Sequence, residues 1–209
     1  MRNFIGEAAA LIGMIAAVFA QGVCVSAESR SGIEQDVFRL HIIANSDSEA
    51  DQQLKLKVRD AVLEAGGEIF SGNSDAEQAA SEAEENMELF RQTALDVIAE
   101  NGFDYDVECE VAEVDFDERV YGNATLPEGN YSALRIKIGE AEGRNWWCVM
   151  FPPLCLPAVT NTDEVLAKAE EDGALTAEEI SIIRDPQQYE VRFYFAEIFR
   201  KLKDYISKH

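Results

Sequence analysis

The stretch VFRLHIIANSDSEADQQLKLKVRDAVLEAGGEIF, residues 37–70, predicts a strand followed by a helix. Its first nine residues, 37–45, are rich in β-branched and other apolar side chains, which indicates a largely buried strand. Ser46 and Glu49 have the spacing of a capping box, so we expect the helix to begin there. Apolar residues then recur at helical spacing, at Leu54, Val58, Ala61, Val62, Ala65 and Ile69.

Two further features shape the helical region that follows. Gly66-Gly67 is expected to end or kink the first helix, because a glycine in a helix interior costs about 1 kcal/mol relative to alanine. A second helix is predicted from near Ser74, with Glu77 three residues later, and it should stop at Gly102. The acidic outer face of this second helix is interpreted as solvated.

The middle of the chain has the alternation of β-strands. Apolar residues at odd positions from Tyr105 to Val111 alternate with acids, which predicts one buried and one wet face. The apolar positions then become even at Val114, which predicts a bulge or bend. The segments YSALRIKIG and RNWWCVMF read as two more strands. Together these three strands predict an antiparallel meander.

The last part of the chain is expected to be helical. Thr176 and Glu179 form another capping box, and residues 189–206 have the pattern of an amphipathic helix. The predicted fold is therefore α+β, with an N-terminal strand, a helix pair, a three-stranded antiparallel meander and C-terminal helices.

The N-terminus has the organisation of an export signal. Arg2 precedes the short apolar run Ala8–Ala20, and small residues follow up to Ala27. We therefore expect residues 1–27 to be an export signal, cleaved after Ala27, and residues 28–209 to be a single α+β domain with a C-terminal helical region. An uncleaved membrane anchor is the alternative interpretation.

Composition limits the classes of partner. The 209 residues contain 18 Lys and Arg against 40 Asp and Glu, a formal net charge of −22. Nucleic-acid binding needs a basic face, so no nucleic-acid partner is expected. A soluble, solvated surface is the simplest interpretation of the acidity.

No catalytic constellation is apparent in the sequence. Of the two histidines, His209 is terminal, and His41 lies in an apolar strand and is expected to be a hydrogen-bonded core or edge residue. The G-x-S-x-G, H-E-x-x-H and Gly-rich phosphate-loop patterns are missing, and no pair of acid–base carboxylates stands out. We therefore predict no catalytic residues, metal site, cofactor or small-molecule substrate.

The segment GRNWWCVMFPPLC, residues 143–155, concentrates both tryptophans and two cysteines. The chain must turn back if Cys148 and Cys155 are to bond, and Pro152-Pro153 supplies a stiff bend, so a Cys148–Cys155 disulfide with Cys109 free is favoured.

The aromatic residues of this segment are candidates for binding a partner. Trp146 and Trp147 should point to opposite faces of a strand. With Phe151, they concentrate the aromatic area that interfaces favour. The alternative is that the segment only completes the core.

Two segments of the chain resemble the signature segments of the stage II sporulation protein R family: FRLHIIANSDSEADQQLKLKVRDAVL and RNWWCVMFPPLC. The pattern between them is fitted by VYGN…LPEGNYSALRIKIGEAEGRNWWCV. The resemblance implies a signalling protein secreted from the forespore into the space between forespore and mother cell. There it would activate a membrane-embedded aspartic protease that processes pro-sigma-E in the mother cell. The family carries no established catalytic residues. An exported hydrolase acting on envelope polymers is the rival hypothesis.

Overall fold

The computed structural model describes residues 32–70, 75–154 and 161–185. A short helical turn at 32–36 precedes the labelled elements. In chain order these are β1 (Phe38–Ile43), α1 (Glu49–Ile69), α2 (Ala76–Glu85), α3 (Met87–Glu100), β2 (Val107–Phe116), β3 (Arg119–Tyr121), β4 (Ala124–Leu126), β5 (Gly129–Ile138), β6 (Asn145–Phe151), α4 (Thr162–Glu171) and α5 (Ala177–Arg184). The α+β class predicted from the sequence is confirmed.

The main sheet has four strands in the order β2-β5-β1-β6, and β3 pairs with β4 in a separate two-stranded sheet. Strand β1 is parallel to β5 and antiparallel to β6. The predicted meander is therefore wrong in its last strand, because β6 pairs with β1 and not with β5. Leu40 and Ile42 are fully buried on one face of β1, and Arg39 and His41 are at most 5% exposed on the other. A strand covered on both faces is stable at the centre of a sheet, and β1 takes that place.

Helices α1, α2 and α3 cover the face of the sheet that carries Leu40 and Ile42, which we call the helical face. Aromatic rings connect the layers: Phe38 of β1 lies 6.0 Å from Phe70, centroid to centroid, and Phe70 lies 6.2 Å from Phe90 of α3. The opposite face carries Arg39 and His41, and we call it the aromatic face.

Strand β2 contains no bulge. Its register with β5 runs without a shift from Val107 opposite Ile138 to Phe116 opposite Gly129. The shift of the apolar residues from odd to even positions reflects a change in which face of β2 is covered by other elements. Val107 is buried on the helical face, whereas Val114 and Phe116 are buried on the aromatic face. A change of covering layer thus produces the same sequence pattern as a bulge.

The region predicted as one second helix is two helices. Asp75 caps α2 by accepting a hydrogen bond from the backbone N–H of Gln78. Asn86 lies between α2 and α3, and its side-chain amide donates to the carbonyl of Glu82 over 2.8 Å. The stop at Gly102 is confirmed, since this residue has a φ of 79°.

The helix caps follow the sequence only in part. The capping box predicted at Ser46 is wrong: Ser48 is the N-cap of α1 and accepts from the N–H of Asp51. The capping box of Thr176 and Glu179 at the start of α5 is confirmed.

Helix α1 continues through Gly66-Gly67 to Ile69, so the predicted end at these glycines is wrong. A Cβ atom at Gly66 would lie 2.5 Å from Cε of Met150 in β6. Glycine therefore permits the close approach of α1 to β6, and this packing offsets the low helix propensity.

Several predicted features fall outside the described residues. These are the export signal at 1–27, Ser74, Cys155 and the amphipathic helix at 189–206. Within the described ranges, none of the helices combines the length and the apolar character needed to cross a membrane.

Candidate functional site

The predicted partner-binding residues lie on β6, an edge strand of the main sheet. Trp146 and Trp147 point to opposite faces, as the strand pattern predicted, and both are half-buried. Trp146 lies on the helical face, where the guanidinium carbon of Arg59 is 4.4 Å from its ring. Phe151 at the end of the strand is only 6% exposed. The two tryptophans therefore present more accessible surface than Phe151.

Trp147 belongs to a stack of rings on the aromatic face. Its ring lies 3.9 Å from that of His41 at an interplanar angle of 15°, and 4.6 Å from Phe116, which it meets edge-on. His41 is further fixed by a hydrogen bond of 3.1 Å between its Nε2 and Oδ1 of Asn145. Three strands of the sheet thus contribute to one packed aromatic cluster.

His41 is the hydrogen-bonded core residue that the sequence predicted. Burial lowers its pKa to about 4; the hydrogen bond to Asn145 opposes this shift, and the positive charge of Arg135 adds to it. The imidazole is therefore neutral near pH 7. Its ring packs against those of Trp147 and Phe116 as a member of the aromatic cluster.

Arg39 is the residue of this face that sequence reasoning missed. Its side chain is fully buried, with the guanidinium carbon 3.8 Å from the ring centroid of Phe116 and 4.7 Å from that of Tyr131. Its Nη2 donates to the hydroxyl of Tyr121 over 2.6 Å. Burial lowers the pKa of Arg39, although the neighbouring tyrosines oppose the shift. The available signal was a lone arginine inside the apolar run VFRLHII.

Ion pairs occupy the wet end of the same face. Arg135 lies 3.1 Å from Glu110, and Lys137 lies 3.3 Å from Glu108 and 3.2 Å from Glu110, all measured between nitrogen and oxygen. These pairs join β5 to the edge strand β2. The acids that alternate along β2 thus neutralise cations of the neighbouring strand.

A polar cluster connects the loop between β1 and α1 to Asp51, which lies in the first turn of α1 and is 4% exposed. Its carboxylate accepts hydrogen bonds from Asn45 Nδ2 at 3.0 Å, Ser46 Oγ at 2.5 Å and Tyr105 hydroxyl at 3.0 Å. Burial alone would raise the pKa of Asp51, but these hydrogen bonds more than offset it, and the pKa is lowered. Ser46 thus contributes to the loop as a donor to Asp51 and not as the helix cap.

The same loop is tied to the loop between β5 and β6. The backbone N–H of Arg144 donates to Asp47 over 2.7 Å, and the ammonium group of Lys55 donates to the Arg144 carbonyl over 2.7 Å. Asn45 Oδ1 accepts from the N–H of Glu140 at 3.0 Å. The two sequence segments singled out above, which are distant in the chain, are therefore parts of one connected structure.

A cleft lies between the C-terminal part of α1, the end of β6 and α4. Its lining is mainly apolar and includes one lysine and one aspartate: Leu63, Gly66, Gly67, Phe70, Val149, Met150, Phe151, Pro152, Pro153, Val165, Lys168, Ala169, Asp172 and Ala174. Phe151 contributes to this lining and not to an open surface.

The cysteines are in different states. Cys109 is a free, half-buried thiol, and burial raises its pKa to about 12, so it is protonated at neutral pH. Cys148 is buried and is not a free thiol. Cys155 lies outside the described residues, so its pairing with Cys148 stays a prediction. In the part of the chain that the structure describes, no three His, Cys, Asp or Glu side chains are grouped to hold a metal ion.

A pair of carboxyl groups joins the turn at 32–36 to α5. Burial and the adjacent carboxylate of Glu179 raise the pKa of Asp36 to about 6. Glu179 is 4% exposed and also accepts from the N–H and hydroxyl of Thr176, at 2.7 and 2.8 Å. The turn at 32–36 and α5 therefore meet at this pair of carboxyl groups, where the pKa of Asp36 is about 6.

Comparison with known proteins identifies the family. The family model for Stage II sporulation protein R (spore_II_R) matches residues 34–161, more than half of the chain. A curated relative from Bacillus subtilis (strain 168), named Stage II sporulation protein R, is 34% identical over 140 residues. That match covers 67% of this chain and 62% of the relative. No solved structure matches the chain. The matched region contains both tied loops and the aromatic cluster, and this chain belongs to the stage II sporulation protein R family.

Proposed function

We propose that this protein is an exported sporulation signalling protein that activates a membrane-embedded aspartic protease, which then processes pro-sigma-E in the mother cell. Membership in the family supports a sporulation-related role. The observation that carries the proposal is the match over residues 34–161, which includes both signature segments. In the structure those segments are joined by the bonds between Asp47, Lys55 and Arg144.

The proposed site of action is the space between forespore and mother cell. The expected export signal at residues 1–27 would bring the chain there from the forespore. A net charge of −22 agrees with a protein partner and not with nucleic acid. The described residues form a packed domain with its own core.

We propose that the segment from Trp146 to Cys155 helps to form the surface that engages the protease. Trp146 and Trp147 are half-buried, so each ring is held in place while part of it faces outwards. Rings that are already ordered lose little conformational freedom when a partner binds, which favours affinity. Trp147 has the better support, because His41 and Phe116 fix its orientation.

The test is to express the protein with the candidate protease and pro-sigma-E and to measure processing of pro-sigma-E. The wild-type protein should trigger processing, and omission of either the protein or the protease should abolish it. If processing is equal with and without the protein, the proposed function is wrong.

Two substitutions locate the surface in the same assay. Trp147→Ala should reduce processing while the protein is still secreted and folded. Because the ring is only half-buried, we expect a loss of about 2 kcal/mol in the free energy of unfolding, below the 3–5 kcal/mol typical of a fully buried tryptophan. Leu89→Ala is the matched control, since Leu89 is 49% exposed on α3 and should leave processing unchanged. Normal processing by a folded Trp147→Ala variant would place the surface elsewhere.

A further inference from the structure

Arg39 has hydrogen-bond donors without acceptors. A guanidinium group carries five N–H donors and no acceptor. In Arg39, Nη2 donates to Tyr121, but buried Nε and Nη1 have no partner among the described residues. The side chain is 0% exposed, so bulk water does not take the place of those partners.

Among the described residues, no carboxylate forms an ion pair with Arg39. The ion pairs of the described chain involve other cations, although the protein has 40 acidic residues. Buried arginines are normally paired, because an uncompensated buried charge is strongly destabilising. The faces of Phe116 and Tyr131 offset part of this cost by cation–π attraction, but aromatic faces leave the in-plane N–H donors unsatisfied.

A second guanidinium lies nearby. Arg119 and Tyr121 are two residues apart on β3, so their side chains share a face of that strand, and Tyr121 contacts Arg39. The positive charge of Arg119 also lowers the pKa of Arg39, after the larger effect of burial. Nε of Arg119 is likewise buried without an acceptor, and the one ion pair described for this side chain joins its Nη2 to Asp117 at 3.3 Å. Two neighbouring arginines with three unused donor nitrogens are an arrangement that favours an anion.

We propose that Arg39 and Arg119, with Tyr121 between solvent and Arg39, form a binding site for a carboxylate group. Carboxylates match the planar donor set of arginine and accept paired hydrogen bonds from it. This inference rests on the geometry of the aromatic face and does not depend on the proposed function.

Tyr121 controls access to the site. It belongs to β3, which has three residues and carries the exposed side chain of Val120, 68% accessible. The phenol ring is half-buried, and its hydroxyl accepts from Arg39. Rotation of this one side chain would uncover the guanidinium, and the incoming carboxylate would replace the hydroxyl as acceptor.

The test measures dissociation constants of carboxylate probes for the purified full-length protein by titration calorimetry. Three probes separate the sources of the carboxylate: sodium acetate, a short neutral peptide with a free C-terminus, and an amidated peptide with one glutamate. The fully amidated neutral peptide is the blank. At least one carboxylate probe should bind, and Arg39→Met should weaken it by about tenfold or more, the usual effect of losing a charged hydrogen bond.

Two further variants make the result decisive. Arg135→Met is the matched control, because Arg135 is on the same face but is already paired with Glu110, and binding should not change. Tyr121→Phe keeps the ring and removes the competing acceptor, so it should tighten binding several-fold even if Arg39→Met does not fold. The proposal is overturned if no carboxylate probe binds either the wild type or Tyr121→Phe. It is also overturned if Arg39→Met binds the probe as tightly as wild type, or if Tyr121→Phe folds and binds the probe no more tightly than wild type.

Discussion

Replacement of Asp51 by asparagine should be one of the most destabilising conservative changes in this protein. The carboxylate is 4% exposed and accepts hydrogen bonds from Asn45, Ser46 and Tyr105. A hydrogen bond to a charged group contributes about 1.5–3 kcal/mol, and bonds that share one carboxylate are not additive. The amide keeps one acceptor oxygen but turns an NH₂ group toward donors. We therefore expect a loss of about 3 kcal/mol in the free energy of unfolding.

Urea denaturation followed by circular dichroism measures this loss, with the denaturant slope as a check on two-state behaviour. Asp60→Asn is the matched control on the same helix. The side chain of Asp60 is 51% exposed and pairs with Arg59 at 2.6 Å, so its replacement should cost less than about 1 kcal/mol. If Asp51→Asn lowers the free energy of unfolding no more than Asp60→Asn does, the polar cluster does not stabilise this loop.

The pH dependence gives an independent check. The pKa of Asp51 is lowered in the folded state, so its stabilising effect is present above the unfolded pKa of about 3.9 and is lost as the pH falls through the folded value. The stability difference between wild type and Asp51→Asn should therefore narrow below about pH 4. A difference that stays constant from pH 7 to pH 2 would contradict a role for the charged form.

Three other predictions follow from the structure and the sequence. The pKa of Asp36 is raised to about 6, so the folded state binds an extra proton between about pH 4 and pH 6, and its stability falls as the pH rises through that range. Urea denaturation should therefore show Asp36→Asn to be about 1 kcal/mol more stable than wild type at pH 8 and equally stable below pH 4. Non-reducing peptide mapping should link Cys148 to Cys155 and recover Cys109 as a free thiol, and a linkage through Cys109 would contradict this pairing. Intact-mass measurement of the exported protein should show cleavage after Ala27, whereas a mass that retains residues 1–27 would support an anchor.

The sequence by itself determined the features that depend on local pattern. Backbone periodicity predicts strand β1, the apolar stripe of α1 and the opposite directions of Trp146 and Trp147. Hydrogen bonds between near neighbours account for the Thr176 capping box. The resemblance to the family likewise rested on two local segments. Each of these signals is contained within a few consecutive turns or strand residues.

The sequence could not determine which elements meet. The sequence pattern predicts β6 beside β5, but β1 lies between them because it is buried on both faces and takes the central position. The change of apolar phase in β2 predicts a bulge or bend, but the register with β5 shows no bulge, and the change follows from a different covering layer. In each case the sequence pattern has two structural explanations, and only the packing of distant elements distinguishes them.

The candidate site divides along the same line. Sequence reasoning singled out Trp146, Trp147 and Phe151 as candidates, because these aromatic residues are close together in the sequence. It did not find the environment of Arg39, because Phe116, Tyr121 and Tyr131 come from three separate strands. The charge of an arginine can be read from the sequence, but its burial and its unsatisfied donors exist only when strands far apart in the chain fold against one another, as the 82-residue separation of Arg39 from Tyr121 illustrates.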